Sequence, residues 1–343
     1  MLTPKQITIL QEELQTAKNP LFLHDDDADG LCSFLLLYRI HREGKEFIFK
    51  NAPKLDGKFV TRVLDRNPDK IFILDVPVVE QEFVDGVKKP IFWIDHHPPL
   101  DLKKVNYYNP RLQDPEAYVP TSRMAWQVSQ KPEDLWIAVA GCLADYYLPE
   151  FLDEFIEQFP EWITEKGDLP HIIFNQPIKM LVRFFFFILK GSSAEVWKST
   201  KILTRIKSPD EIFKQETAQG KFLYKRFEKI NQMYEELLEK AKQQAHSGKL
   251  FIFNSTEDQW SFTANLANEL SALYPQKIIL IVRKKSGEMK CSLRGRTRVL
   301  EPLQRALVGI SGYGGGHPLA CGAVIKEESW DQFLINLQEE FKK

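Results

Sequence analysis

Cysteine is scarce and scattered: Cys32, Cys142, Cys291 and Cys321 are four in 343 residues, and none belongs to a CxxC pair. That spacing argues against a zinc ribbon and a disulfide frame, so the expectation is reduced core thiols in a cytoplasmic protein. An excess of either charge is also missing, since 46 Lys+Arg stand against 47 Asp+Glu for a net charge of −1. No protein-wide positive field advertises a polyanionic partner, so any nucleic-acid surface must be local. The opening "MLTPKQITILQEELQTAKNP" has neither the basic segment nor the apolar run of a signal peptide and reads as an amphipathic helix. A clean membrane span is absent too. The most apolar stretch, 172–191, is interrupted by Pro177, Lys179 and Arg183, which predicts a buried helix and no membrane partner.

What remains is a globular composition, 43% hydrophobic and 27% charged, at a length that allows two cores. Apolar runs at 21–24, 46–52, 70–75 and 90–95 predict buried strands, and 30–44 and 56–67 the helices between them. Such alternation predicts a parallel sheet covered on both faces. Helices follow at 121–130 and 133–148, and 150–205 reads as wholly helical. From 208 to 249 the chain is rich in Lys, Glu and Gln. Phe227, Ile230, Tyr234, Leu237 and Leu238 share one stripe there, predicting a connecting helix that ends near Gly248. A strand in "KLFIFN", a helix in "FTANLANELSALYP" and two strands about a "KSGE" turn then predict a second α/β domain. The predicted organisation is a first domain over 1–205 with a helical insertion at about 150–205, a helical linker over 206–248, and a smaller domain over 249–343.

The stretch "HDDDADG" places Asp25, Asp27 and Asp29 at alternate positions ahead of Gly30. A calcium loop opens this way, but it needs a bidentate Glu at its twelfth position, and that position is Leu36 in an apolar helix. The preceding "PLFLH" is a strand where the calcium loop requires a helix. A strand ending in carboxylates, then a glycine turn and a helix, instead fits the carboxyl edge of a parallel sheet, where α/β proteins place their sites. Two further strands end in the same way, "KIFILD" at Asp75 and "PIFWIDHH" at Asp95, His96 and His97. Carboxylates gathered in one crevice repel one another unless cations compensate.

In order, these motifs resemble the DHH phosphoesterase superfamily: D-x-D-x-D-G, a lone Asp closing the next strand, the tripeptide DHH at 95–97, and Asp145 in "AGCLADYY". The glycine–histidine stretch "GYGGGHPLACG" (312–322) and the Ser-x-Arg strand "CSLRGR" (291–296) resemble the domain that accompanies DHH. The resemblance runs from about residue 20 to 325. It implies an α/β protein in which a parallel-sheet DHH domain is joined by a helical linker to a smaller α/β domain.

The resemblance also implies two divalent cations, manganese by preference with magnesium or cobalt as substitutes. Asp25, Asp27 and Asp75 would hold one ion; Asp29, Asp75, His96 and Asp145 the other, with Asp75 bridging. Carboxylate oxygens with imidazole suit manganese or magnesium better than zinc. Asp95 would orient a ligand histidine through its ring N–H, and His97 would contact the scissile phosphate. His24 could replace Asp25 as a ligand, but on a strand it points to the opposite face, so Asp25 is preferred. Many relatives begin this motif with His; the Asp tilts the resemblance towards the RecJ-like branch.

In the second domain, Gly314, Gly315, Gly316 and His317 would hold a phosphate or terminal nucleotide, with Ser292, Arg294 and Arg296 donating to it. Within the basic cluster Arg283, Lys284, Lys285, Lys290, Arg294, Arg296 and Arg298, only Arg294 and Arg296 are expected to meet substrate; half the cluster is an ordinary solvated hairpin face. The resulting expectation is a RecJ-like exonuclease releasing nucleotides from an end of single-stranded DNA or RNA. A nano-RNase or cyclic-dinucleotide phosphodiesterase is the alternative, because the chain stops soon after the glycine motif, without the oligonucleotide-binding domain of bacterial RecJ. A dead relative serving as a replication scaffold would lose ligands, and every expected one is present. A pyrophosphatase would end in a different second domain. Partners in this reading are single-stranded nucleic acid or a short oligonucleotide; a homo-oligomer or a replication or repair partner is compatible with it.

Overall fold

A computed structural model gives the fold, and it describes residues 1–50, 52, 54–244, 248–256 and 259–342. The chain divides into two compact units, Met1–Phe227 and Glu228–Lys343.

The first unit holds a parallel sheet of β1 (Leu21–Asp25), β2 (Lys45–Phe49), β3 (Ile71–Leu74), β4 (Ile91–Ile94) and β5 (Asn106–Tyr108), in the order β2-β1-β3-β4-β5. The apolar strands β1, β3 and β4 are adjacent, and their near-continuous hydrophobicity reflects cover on both faces. Alternation sends Leu21, Leu23, Ile71, Ile73, Ile91 and Trp93 to one face. Phe22, Phe72 and Phe92 go to the other, stacked at 5.3 and 5.1 Å. Helices α1 (Pro4–Thr16), α2 (Ala28–His41), α3 (Val60–Leu64), α4 (Gln81–Val87), α5 (Thr121–Ser129) and α6 (Leu135–Ala144) accompany the sheet. Val63, Phe83, Val84 and Val87 of α3 and α4 join the first face. On the second, Phe34 of α2 meets Phe22 edge-on at 5.7 Å. The predicted helix over 56–67 is shorter than expected, a 3-10 turn at Gly57–Phe59 running into α3. Neither α4 nor the short, polar β5 was expected.

Beyond α6 the unit is helical: α7 (Leu152–Gln158), α8 (Leu169–Asn175), α9 (Ile178–Ile188), α10 (Ser193–Leu203) and α11 (Pro209–Phe213). The apolar stretch 172–191 is two helices, not one, and they meet at 75°. Pro177 is the cause. It has no N–H, and it forces Gln176 into extended backbone at φ −98° and ψ 157°. No single helix among the described residues is long and apolar enough to cross a membrane. Trp162 is buried in this region, whereas Trp197 is 53% exposed.

Helix α12 (Ala218–Gln243) carries the division between the units, and Phe227, Ile230, Tyr234, Leu237 and Leu238 are its buried stripe. Residues 245–247, where this helix was expected to end, and Asn51 of the expected strand 46–52 lie outside the described residues. The second unit has β6 (Leu250–Ser255), β7 (Ile278–Lys285), β8 (Glu288–Arg294), β9 (Gly312–His317) and β10 (Ala320–Lys326), in the order β6-β7-β8-β10-β9. Among the described residues of this unit, only β6 and β7 pair in parallel. Ser286 and Gly287, at φ 54° and 73°, make the tight turn of the β7–β8 hairpin. Helices α13 (Thr263–Leu273), α14 (Leu300–Ala306) and α15 (Trp330–Lys342) complete the unit. Val299, Leu303, Phe333 and Leu337 share its core with the strands.

Candidate metal centre

Asp25 ends β1, Asp75 follows β3 and Asp95 follows β4, so all three leave the same edge of the sheet. Register keeps them level, with His24 opposite Leu74 and Leu74 opposite Ile94. After β1 the chain crosses one way to β2, and from β3 it moves the other way, which opens a crevice at this edge. The turn into α2 is tight. Asp27 caps the helix by accepting from the Gly30 N–H at 2.9 Å. A Cβ on Gly30 would lie 2.8 Å from the Asp25 carbonyl oxygen, so only glycine lets the helix start this close to the strand end.

Asp29 is 2% exposed, and its two oxygens accept from the Thr121 and Ser122 N–H groups at 2.8 and 2.9 Å. Asp75, 1% exposed and held at φ 61°, accepts from the Thr121 hydroxyl at 3.2 Å and lies 3.3 Å from Nε2 of His96. Nδ1 of the same imidazole is 3.7 Å from Oδ2 of Asp145, which follows α6. Asp29, His96 and Asp145 each offer one ligand atom within 4.8 Å of the others, and so do Asp75, His96 and His97. Asp25 and Asp27 enter neither trio, but both face the same crevice electrostatically. Burial pushes Asp25 up to about 7 and Asp27 adds to it. Asp29 is likewise raised to about 7 by burial and Asp27, against the pull of its Ser122 and Thr121 bonds. Burial, then Asp29 and Asp27, holds the Asp75 and Asp145 carboxyls well above their usual range.

These residues fit a divalent ion. Oδ2 of Asp145 is buried and accepts no hydrogen bond. The donor set is carboxylate oxygen with one or two imidazoles, the hard set that manganese and magnesium prefer. Cations are also what a buried group of mutually repelling carboxylates lacks.

His97 stands apart in its support. Nδ1 is 2.8 Å from Oδ1 of Asp95, and its backbone N–H donates to Oδ2 at 3.0 Å. Burial alone would lower the His97 pKa, but the Asp95 bond and charge outweigh it and raise it. Asp95 was expected to orient a ligand histidine; the structure pairs it with His97, a member of one candidate ligand trio, through an Asx turn just past β4. Asn109, which donates to the His97 carbonyl at 2.8 Å, steadies the same turn. His24 is wholly buried and engaged elsewhere, with Nε2 3.0 Å from Glu46 and Nδ1 2.7 Å from the Asp25 carbonyl.

Three contributors escaped the sequence reading. Thr121 ties Asp29 to Asp75, Asn109 holds the His97 turn, and Tyr118 meets His96 edge-on at 5.6 Å while donating to the Asp145 carbonyl at 2.7 Å. The signal available was slight: "VPTS" opens a helix with backbone donors free for a carboxylate.

The expected substrate residues all lie in the second unit. Ser292 is buried and bonded to Thr263 at 3.1 Å. Nε of Arg294 donates to Asn268 at 2.5 Å and Nη1 to the Cys321 carbonyl at 3.1 Å. Arg296 is exposed. Gly314, Gly315, Gly316 and His317 form most of the exposed edge strand β9. Gly316, at φ 138°, has no room for a Cβ, which would sit 2.7 Å from the Ala320 carbonyl; Gly315 faces open space. Lys284, Lys290 and Arg298 are matched by Glu327, Glu288 and Glu301, and Arg283 is buried.

A parallel α/β unit with carboxylates and histidines at one sheet edge, followed by a smaller mixed-sheet unit, defines a class of two-domain α/β proteins with a candidate metal centre on the first domain. Family comparison agrees. Residues 21–145 match the DHH family N-terminal domain and residues 259–343 the DHHA1 domain, together more than half of the chain, and the protein belongs to the DHH family. No curated protein matches it in sequence. Among solved structures it is similar to manganese-bound RecJ from Thermus thermophilus, at 17% identity and TM-score 0.71 over 100% of this chain and 56% of that one. The chain thus spans a little over half the length of that RecJ. It is also similar to the DHH domain of a member of the S1p family of ribosomal proteins, at 13% identity and TM-score 0.70 over 99% and 90% of the two chains. A pGpG-specific phosphodiesterase from Vibrio cholerae, PggH, is similar at 16% identity and TM-score 0.50 over 95% and 99%.

Proposed function

We propose that the protein is a manganese-dependent phosphodiesterase that removes nucleotides from an end of single-stranded DNA or RNA. The observation that carries this reading is the gathering of Asp29, Asp75, His96, His97 and Asp145 at one sheet edge. Asp25, Asp27 and Asp75 would hold one cation, and Asp29, Asp75, His96 and Asp145 a second. When bound, divalent cations supply Lewis-acid charge that lowers the pKa of water and offsets negative charge on phosphate oxygens. The chain's own groups do the rest. Thr121, Ser122 and Tyr118 fix the carboxylates and His96 before substrate arrives, so little reorganisation remains. Asp95 holds Nδ1 of His97 and favours its protonated form, which leaves Nε2 to donate to a phosphate oxygen. In the second unit, Arg296, the β9 backbone and His317 would bind the terminal phosphate, with Arg294 and Ser292 shaping the strand beside them.

Hydrolysis of short linear or cyclic dinucleotides is the second reading. It is supported by the likeness to PggH over nearly the full length of both chains. One digestion panel with manganese separates the two: end-labelled single-stranded DNA and RNA, linear dinucleotides and cyclic dinucleotides side by side. The leading reading expects stepwise shortening of the long strands. Cleavage confined to dinucleotides transfers the assignment to the second reading, and no cleavage of any phosphodiester overturns both.

A further inference from the structure

The first unit has a second concavity, away from the carboxylate crevice, of about 160 Å³ and open to solvent. It lies along β2, the outer strand of the sheet, between α3 and the start of α10. Its lining is unusual for an edge. Arg62 and Arg66 place their guanidinium carbons 5.0 and 4.7 Å from the centroid of the Phe47 ring, so two like charges share one aromatic. Neither forms an ion pair with a carboxylate among the described residues, whereas Lys50, Lys54 and Lys70 do. Burial and then Arg62 push the Arg66 pKa down, against the charge of Asp65. Arg66 also donates to the Arg62 carbonyl, which fixes the spacing of the two groups.

The other lining groups are already committed. Glu46 spends its oxygens on Nε2 of His24 at 3.0 Å and the Thr200 hydroxyl at 2.6 Å. Lys50 is paired with Asp26 at 2.9 Å, within the loop that carries Asp25 and Asp27. Trp197 also lines the cavity, 53% exposed, with the Lys201 ammonium 4.8 Å from its ring centre. A half-exposed indole lining the same cavity as two guanidiniums without an ion-pair partner calls for a ligand that is both flat and anionic.

We propose that this cavity is a nucleoside-phosphate site, with the phosphate on Arg62 and Arg66 and the base against Trp197. That the flat anion is a nucleotide rests on the phosphodiesterase reading; the call for a flat anion does not. Its source is either one unit of a bound single strand or a free nucleoside monophosphate such as the reaction releases.

The test measures binding without divalent ion, in EDTA, so that the carboxylate crevice takes no part. Full-length protein is titrated with a nucleoside monophosphate by calorimetry and with a labelled single-stranded oligonucleotide by anisotropy, for wild type, the double variant Arg62→Ala/Arg66→Ala, and Trp197→Ala. Loss of a bidentate charge-assisted contact predicts about tenfold or weaker binding in the double variant, and stacking loss a similar drop for Trp197→Ala. Weakening seen with the mononucleotide assigns a free-nucleotide site; weakening seen only with the oligonucleotide assigns a strand contact. Wild-type affinity of the double variant for both overturns the site. Wild-type affinity of Trp197→Ala, or equal competition by inorganic phosphate, overturns the base contact. Manganese-dependent hydrolysis of a small chromogenic phosphodiester should be unchanged in all three proteins; its absence from wild type would instead count against the phosphodiesterase reading.

Discussion

Stripping divalent ions from this protein at alkaline pH leaves Asp25 and Asp29 ionised together in a buried crevice. Asp29 gives the scale of the cost, because burial and the nearby Asp27 raise its carboxyl from 3.8 to about 7. Each unit of difference between folded and unfolded states is ~1.4 kcal/mol, so ionised Asp29 opposes folding by ~4 kcal/mol. Asp25, also raised to about 7 by burial and Asp27, shares that repulsion rather than doubling it. The folded, metal-free protein therefore holds more protons here than the unfolded chain does. The stability contributed by these groups is full below about pH 4 and is lost as pH rises through about pH 7. A divalent ion removes the repulsion that protons remove at lower pH. One kcal/mol shifts Tm by about 2–4 °C in a unit of this size, so saturating manganese should raise Tm by about 8–16 °C at about pH 8. At about pH 5 the gain should shrink to a small fraction, since protons already occupy the carboxylates and must be displaced. Differential scanning fluorimetry in manganese and in EDTA at both pH values reads this directly. An equal gain at the two pH values, or none at about pH 8, would refute the idea that these carboxylates face one cation-binding space.

Asp75→Asn should abolish manganese-dependent hydrolysis and most of the manganese-induced Tm gain. Asn109→Ala deletes the donor to the His97 carbonyl; steady-state kinetics should show kcat down by about tenfold, with the manganese-induced Tm gain intact. Gly30→Ala forces a Cβ to within 2.8 Å of the Asp25 carbonyl oxygen, and chemical denaturation should register a loss of about 1–3 kcal/mol together with weaker manganese binding.

The crevice was legible because its residues sit where unbroken apolar runs stop: "KIFILD" and "PIFWID" announce a buried strand and its polar end in the same few letters. What supports those residues was not, because it arrives from far along the chain. Thr121 lies 92 positions from Asp29 and 46 from Asp75, a pairing that no local pattern encodes. The partner of Asp95 could have been found, since an aspartate at a strand end readily bonds the backbone N–H two residues on in an Asx turn, which brings it against His97. Strand β9 was invisible for the opposite reason. Glycine has little strand preference, and "GYGGGH" forms a strand only because β10 pairs with it along its length. In 172–191 the apolar run spoke for one helix and Pro177 for two; the backbone obeyed the proline.

The support around the crevice also bears on where substrate choice resides. Asp29, Asp75, His96 and Asp145 are fixed by backbone amides, by Thr121 and Tyr118, and by one another, and none of those contacts depends on which nucleotide is present. A crevice so constrained can favour a phosphodiester over another ester but has little with which to distinguish DNA from RNA or a long strand from a dinucleotide. Arg294 and Ser292 are committed in the same way, to Asn268, the Cys321 carbonyl and Thr263. The groups with latitude are Arg296, the open side of β9 with Tyr313 71% exposed, and the Arg62–Arg66–Trp197 wall of the first unit. Substitutions there should alter which substrate is cut, and substitutions in the crevice whether anything is cut at all.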